Sequence, residues 1–370
     1  MMSTNNYQIY IDCGFSKLRA SAFHKPNTNR TLHVESNFIF DHMEISIEVQ
    51  KIISFLEKNT NEYIDNINLM VDSPNMLSIG ISVSKKIDGL QLEQHDIQFL
   101  VQEAKQQILK HYKNKNITHI IINNYKVNDI DYDYLPSNTK CNLIALDILF
   151  ICLPEKTIEY YKNIFHKFDI SVNQVICSSY AKAKNYKVNL PQHDNISFID
   201  IGHNESSIIT YNNNKITCLS VIPIGGNHIT KDISNVLKID LKQAENIKIN
   251  FNKKKNFLID KNFSLEFLQK IIFARTDEII NMCVKSIKLH SKITNSFKVV
   301  LMGEGSKILN NIYKDKISIL HDLYFLENKA EEVCGAGLVL GMGLNRDEVI
   351  VVPKKLIKQG FFEKFFHFLN

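Results

Sequence analysis

Two aspartates, Asp12 and Asp200, hold the same position relative to a glycine in two distant parts of the chain. Each ends a run of residues that predicts a buried strand, and a tight turn with Gly14 or Gly202 follows. Backbone N–H groups in such turns bind anions, and Mg²⁺ prefers a few carboxylates together with phosphate and water. If the two turns face each other, they predict a polyphosphate clamp in which Asp12 and Asp200 hold a hydrated Mg²⁺.

Either turn alone is typical of an ordinary β-hairpin, and only the matching pair favours a binding site. A third turn, with Gly303 and Gly305, follows the predicted strand 299–302. Glycine at a strand-to-helix turn lets a flat ring lie against the backbone, although G-x-G is also typical of a plain βα loop. Glu245 and Lys248 are three residues apart on a predicted helix and share one face. They indicate either a surface ion pair or a hydrogen-bonding clamp on a ribose.

Length and composition limit the classes of protein to which the chain can belong. A chain of 370 residues with 44% hydrophobic residues is long enough for two lobes with separate cores. The net charge of +5 is scattered along the sequence, so no nucleic-acid partner is predicted. Seven cysteines without a C-x-x-C pattern argue for a reducing compartment and against a zinc site or disulfide framework. The polar N-terminus carries no signal peptide, which predicts a cytoplasmic protein.

The last segment, residues 354–370, predicts an amphipathic helix that lies on a membrane surface. Its apolar half contains five phenylalanines, and its lysines would attract anionic lipids. Docking on the protein's own core or on a partner would also bury this face. Lys358 lies inside the apolar half and Leu356 lies outside it. The predicted membrane contacts are Lys354, Lys355, Ile357, Lys358, Phe361, Phe362, Phe365, Phe366, Phe368 and Leu369.

Three motifs stand out in the second half of the chain: Asp-Ile-Gly at 200–202, Pro-Ile-Gly-Gly-Asn-His-Ile-Thr-Lys-Asp-Ile at 223–233 and Ala-Glu-Asn-Ile-Lys at 244–248. With these motifs the sequence resembles the FtsA family of bacterial cell-division proteins in the superfamily of actin, sugar kinases and heat-shock chaperones. The resemblance implies an α/β fold with two actin-like (ribonuclease-H-like) lobes, a small α/β subdomain inserted in the first lobe, and a C-terminal amphipathic helix.

The implied division of the chain follows the family. The first lobe takes 1–82 and 166–195 with part of 330–345, and the inserted subdomain takes 83–165. The core of the second lobe takes 196–226 and 296–343, and its outer subdomain takes 227–295. A linker at 344–353 precedes the membrane-targeting helix 354–370.

The resemblance also implies ATP and Mg²⁺ as cofactors. Bulky His203 and acidic Glu205 replace the usual residues of the second phosphate turn, and Glu304 stands where the family often has glycine. Weak or absent hydrolysis is therefore expected, and no catalytic residue is assigned. The predicted nucleotide-binding residues are Asp12, Gly14, Phe15, Ser16, Lys17, Asp200, Gly202, His203, Asn204, Gly225, Gly226, Glu245, Lys248, Gly303, Glu304, Gly305 and Ser306.

An FtsA-like protein is expected to assemble with itself and to anchor the tubulin-like FtsZ to the cytoplasmic face of the cell membrane at the division site. The expected partners are the FtsZ C-terminal tail, further copies of this chain, anionic lipids and later division proteins. A pilus-assembly actin homologue of the PilM type is the alternative within the fold. A small-molecule kinase of the same superfamily is a third reading.

Overall fold

A computed structural model describes residues 6–26, 30–41, 43–136, 139–251, 264–291, 298–311, 323–326, 329–341 and 348–349. The predicted membrane-targeting helix 354–370 lies outside these residues, as does the predicted linker apart from 348–349. The described strands are β1 (Tyr7–Cys13), β2 (Leu18–His24), β3 (Thr31–Glu35), β4 (Asn66–Val71), β5 (Leu77–Gln91), β6 (Lys115–Val127), β7 (Ile130–Tyr132), β8 (Lys140–Pro154), β9 (Ser171–Cys177), β10 (Ile196–Ile201), β11 (Ser206–Asn212), β12 (Lys215–Ile222), β13 (Lys298–Met302), β14 (Leu323–Phe325) and β15 (Glu348–Val349).

The described α-helices are α1 (Glu44–Thr60), α2 (Gln94–His111), α3 (Glu155–His166), α4 (Ser178–Val188), α5 (Gly226–Leu237), α6 (Leu241–Asn250), α7 (Leu265–His290) and α8 (Ala330–Gly341). A 3-10 helix runs over Glu304–Asn311. None of the helices in the described ranges is long and apolar enough to cross a membrane.

Two sheets of the same design form the two lobes. The first has the order β3-β2-β1-β4-β9, and the second has the order β12-β11-β10-β13-β14. In both, the first strand of the lobe pairs antiparallel with the next strand of the chain and parallel with a later strand. β1 and β10 are buried along almost their whole length, as central strands covered on both faces should be. Their carboxyl ends, which carry Asp12 and Asp200, therefore lie at equivalent places in the two lobes.

Local sequence explains the hairpins. The turn between β11 and β12 places Asn213 and Asn214 at φ 49° and 64°. Two successive positive φ values are what a type I′ hairpin turn requires, and asparagine tolerates this conformation better than most residues. The two asparagines therefore close the antiparallel hairpin of β11 and β12.

The packing joins the two lobes through a shared core. One apolar cluster contains β1, β4, α1 and α3 and also reaches Ile196 and Phe198 of the second sheet. Helix α4 contacts α8, β9 and β11, so it connects the two sheets. A second cluster covers the other face of the second sheet with α5, α6 and α7. The cleft between the lobes therefore opens beside the N-terminus of α4.

A third sheet, with the order β15-β6-β8-β5, has its own core and is covered by α2. The predicted inserted subdomain 83–165 contains most of it. Two boundaries differ: β5 already begins at Leu77, and α3 buries Ile158, Tyr161 and Phe165 in the first-lobe core. A strand that continues from one unit into the next gives no local signal at the border, which explains the difference at β5.

Candidate functional site

The two Asp-Gly turns face each other across the cleft. A small cavity of about 80 Å³ lies between them, and both Asp12 and Asp200 line it. A larger cavity of about 570 Å³ adjoins it, with Lys17, His203 and Gly305 in its walls. A volume of this size is typical of small-molecule sites. The three glycine turns therefore border one cleft.

Close backbone packing makes glycine necessary at the turns of the second lobe. A Cβ at Gly303 would lie 2.4 Å from the carbonyl oxygen of Ile201, and its φ of +91° disfavours any other residue. A Cβ at Gly225 would lie 2.6 Å from the carbonyl oxygen of Gly202. The N–H of Gly226 donates to that same carbonyl oxygen at 2.9 Å. These contacts hold the turn at Gly202, the turn at Gly303 and the start of α5 in one rigid unit.

Asp12 is buried and already has two partners. Nη1 of Arg19 donates to its Oδ2 at 3.2 Å, and the hydroxyl of Ser178 donates to its Oδ1 at 2.5 Å. Arg19 comes from β2, whereas Ser178 is the first residue of α4. The positive end of the helix dipole therefore also lies beside this carboxylate.

Asp200 forms a buried ion pair with Lys182 of α4. Lys182 is 8% exposed and Asp200 is 5% exposed. Burial alone lowers the pKa of Lys182, but the carboxylates of Asp200, Asp12 and Asp72 raise it above its usual value. The ammonium therefore stays charged inside the cleft.

Two further carboxyls, those of the half-buried Asp72 and the buried Glu205, line the small cavity. Asp72 accepts the backbone N–H of Ser179 at 3.0 Å and so caps α4, while burial raises the pKa of Asp72 to about 6. Burial, then Asp72 and Asp200, raises the pKa of Glu205 to about 8. Oε2 of Glu205 accepts no hydrogen bond among the described residues. Glu205 is therefore largely a neutral acid near neutral pH.

This donor set does not fit the predicted Mg²⁺ site. Mg²⁺ in such a site is held by one or two carboxylates together with phosphate oxygens and water, so the carboxylates must be available to the ion or to its water molecules. The carboxylates of Asp12 and Asp200 are instead neutralised by Arg19 and Lys182. In the described part of the chain, no group of three or more His, Cys, Asp or Glu residues is placed to hold a metal ion. The arrangement disfavours a hydrated cation shared by the two aspartates.

Glu245 and Lys248, for which a surface ion pair or a ribose clamp is predicted, line the larger cavity. Nζ of Lys248 donates to Oε2 of Glu245 at 2.7 Å and to the carbonyl oxygen of Gly226 at 2.9 Å. Glu245 is only 3% exposed, so this is a buried pair and not a surface ion pair. Burial lowers the pKa of Lys248. The two side chains border the cavity and present polar atoms to it.

His203 packs its ring edge-on against Phe38, with the ring centroids 5.5 Å apart. Burial, then Lys248 and Lys231, lowers the pKa of His203 to about 4. The ring is therefore neutral at physiological pH, and it adds bulk beside the phosphate turn without adding charge.

Most of the predicted nucleotide-binding residues line one of the two cavities. Asn204, Gly225 and Ser306 do not. The Ser306 hydroxyl donates to the carbonyl oxygen of Gly303 at 2.7 Å, so it stabilises the turn itself. Sequence reasoning missed Arg19, Asp72, Ser178 and Lys182, which also line the small cavity. Of these residues, Asp72 directly follows the buried strand β4. Asp12 and Asp200 lie at the end of a buried strand in the same way, but each is also followed by a glycine turn.

Glu304 of the third turn is tied to the first lobe. Nη2 of Arg19 donates to Oε1 of Glu304 at 3.0 Å, and Lys307 pairs with the other carboxylate oxygen at 2.8 Å. Arg19 thereby bridges Asp12 in the first lobe and Glu304 in the second. This bridge joins the two lobes beside the small cavity, which Arg19 and Glu304 both line.

The sequence is similar to known cell-division proteins. The family model "Cell division protein FtsA" matches residues 197–283, from β10 into α7. FtsA of Buchnera aphidicola subsp. Acyrthosiphon pisum is 26% identical over 236 residues, covering 55% of this chain and 56% of that protein. FtsA of Streptococcus pneumoniae is 24% identical over 170 residues, covering 42% and 37%. The chain thus spans about half or less of the length of these curated relatives.

Solved structures share the fold at low sequence identity. A PilM–PilN type IV pilus biogenesis complex matches with a TM-score of 0.60 and 10% identity, covering 88% of this chain and 89% of that chain. MreB5 of Spiroplasma citri bound to ADP matches with a TM-score of 0.51 and 12% identity, covering 92% and 97%. The predicted two-lobed actin-like α/β fold is confirmed. The predicted resemblance is confirmed as well: part of the sequence is similar to FtsA cell-division proteins, and the fold is similar to that of the PilM–PilN and MreB5 structures.

Proposed function

We propose that this chain is an FtsA-like adaptor that binds ATP between its lobes. The observation that carries the proposal is the convergence of the two Asp-Gly turns and the Gly303–Gly305 turn on one cleft. The phosphates would lie against the turns at Gly14 and Gly202, where backbone N–H groups favour anions. The adenosine would occupy the larger cavity beside Glu245 and Lys248. The MreB5 structure, which has a similar fold and is bound to ADP, supports the proposal that this chain binds a nucleotide.

Hydrolysis is proposed to be weak or absent. A general base must be an available carboxylate or imidazole within hydrogen-bond reach of the attacking water. Asp12 and Asp200 are paired with Arg19 and Lys182, and Asp72 accepts the backbone N–H of Ser179 in α4. The nucleotide would then act as a structural element that sets the relation of the two lobes.

The cellular role proposed for this chain is to tether FtsZ to the cytoplasmic face of the membrane, to assemble with itself, and to receive later division proteins. FtsA relatives and the predicted C-terminal helix support this role. A PilM-type function is the second candidate because the fold of the PilM–PilN complex is similar. A PilM-type function does not explain the phenylalanine-rich segment at 354–370. A small-molecule kinase would need an available aspartate facing a substrate pocket.

Co-sedimentation with vesicles tests the adaptor role. We expect the full chain with ATP to carry FtsZ into the pellet with phosphatidylglycerol-containing vesicles, and FtsZ without its C-terminal tail to stay in the supernatant. Replacing Phe365 and Phe366 by aspartate should weaken vesicle binding by about 100-fold or more, since each buried phenylalanine contributes about 1.5–3 kcal/mol.

The matched control is Glu363→Gln, on the opposite half of the predicted helix, which should bind vesicles as well as the wild type does. Removal of 356–370 should abolish vesicle binding. Sedimentation of the truncated chain together with FtsZ would rule out the tail as the tether. Vesicle binding by the full chain without any FtsZ in the pellet would contradict the adaptor role and favour the PilM-type alternative.

A further inference from the structure

Lys182 lies where a shared metal ion would otherwise balance the two aspartates. Its ammonium pairs with Asp200, and its charge also acts on Asp12 and Asp72. A divalent cation bound there would have to displace a buried, charged lysine from the carboxylate. That displacement would leave the ammonium without a partner in a region of low dielectric, which is costly.

The fold positions Lys182 for this role. Asp72 caps α4 at Ser179, and Ser178 and Lys182 are four residues apart on the helix, so they share one face. From that face Ser178 binds Asp12 and Lys182 binds Asp200. One turn of α4 thus places a hydrogen-bond donor beside Asp12 in the first lobe and another beside Asp200 in the second. Lys182 also borders the small cavity, where the phosphates would lie.

The two aspartates of the small cavity already have cationic partners. Arg19 and Lys182 pair with Asp12 and Asp200, the half-buried Asp72 accepts the backbone N–H of Ser179, and burial raises the pKa of Glu205 to about 8. A divalent cation would therefore compete with Arg19 and Lys182 for the carboxylates of Asp12 and Asp200. A polyphosphate, in contrast, would meet two built-in cations and the backbone N–H groups of two turns.

We propose that Lys182, supported by Arg19, is the built-in counter-ion of the nucleotide phosphates, and that this chain binds ATP without a divalent cation. The proposal rests on the proposed nucleotide-binding function and adds a specificity to it. The ligand is the free triphosphate and not its magnesium complex. The ammonium of Lys182 supplies the positive charge that a shared metal ion would otherwise provide to the two turns.

The test is a titration of the full chain with ATP, followed by calorimetry, once in EDTA and once in excess MgCl₂. For the wild type we expect dissociation constants that agree within about threefold, or tighter binding in EDTA. Lys182→Met should weaken binding in EDTA by about tenfold or more, and MgCl₂ should restore much of it, because Asp200 is then available to a cation. Lys184→Met, on the same helix but outside both cavities, is the matched control and should behave as the wild type does.

A second variant separates these effects from loss of folding. Lys182→Met combined with Asp200→Asn removes both charges, so the fold keeps no unpaired buried ion, and MgCl₂ should not restore its binding. Wild-type protein that binds ATP only with MgCl₂ would overturn the counter-ion proposal and leave nucleotide binding standing. Wild-type protein that binds no ATP in either medium would overturn both. Magnesium-independent binding that Lys182→Met leaves unchanged would also overturn the role of Lys182.

Discussion

Replacing Asp200 by alanine is expected to lower the free energy of unfolding by about 3–5 kcal/mol. The reason is Lys182, whose ammonium would stay buried in the cleft without its carboxylate partner. Removing one member of a buried ion pair costs more than the pair contributes, because the remaining charge is not solvated. Urea unfolding of the full chain, followed by circular dichroism, measures this loss directly.

The control for this substitution is the double variant Asp200→Ala with Lys182→Met. Because it also removes the stranded ammonium, it should regain at least about half of the lost stability. Asp194→Ala is a second control, since Asp194 is an exposed carboxylate just before β10 and should cost about 0.5 kcal/mol or less. A double variant that is as unstable as Asp200→Ala would show that the pair does not govern the stability of the cleft.

Gly303→Ala is expected to destabilise the protein by about 3 kcal/mol or more, through both backbone strain and a steric clash. The new Cβ would lie 2.4 Å from Oδ1 of Asp200 and 2.4 Å from the carbonyl oxygen of Ile201. Backbone cannot move aside as the end of a flexible side chain can. The substitution should therefore also open the contact between the third turn and the second phosphate turn. Thermal unfolding with and without ATP reports both effects.

Gly335→Ala is the matched control for this change. Gly335 lies within α8, and a Cβ there would meet nothing within 4 Å. Alanine in a helix is favoured over glycine, so the variant should gain about 0.5–1 kcal/mol. If both variants changed stability by the same small amount, the close packing at Gly303 would not be the constraint proposed here.

The sequence predicts the parts of the site that have local signals. Asp12 and Asp200 follow buried strands, and the glycines mark turns, so the two hairpins and their carboxylates could be predicted from pattern and spacing. Asp72 shares this signal but was missed, because no glycine turn follows it. The resemblance to FtsA supplied the arrangement of the two lobes, which the pattern alone does not provide.

The cations of the cleft could not be predicted in this way. Lys182 lies in a short helix whose sequence shows no amphipathic pattern, and nothing in its neighbours indicates that a lysine there is buried. Arg19 lies in β2, and its contact with Glu304 joins residues 285 positions apart. Such pairings depend on how the lobes pack. In the structure, the two aspartates predicted to share a metal ion are paired with Arg19 and Lys182 instead.

Hydrogen exchange of the full chain with and without saturating ATP tests the central claim, that the nucleotide lies between the three turns. We expect slower exchange in peptides that cover 13–17, 202–206, 225–228 and 303–306, because the ligand would contact or cover these backbone segments. Peptides of α2, in the inserted sheet, should exchange at the same rate in both samples. Protection confined to the inserted sheet or absent from all three turns would contradict a nucleotide site in the cleft.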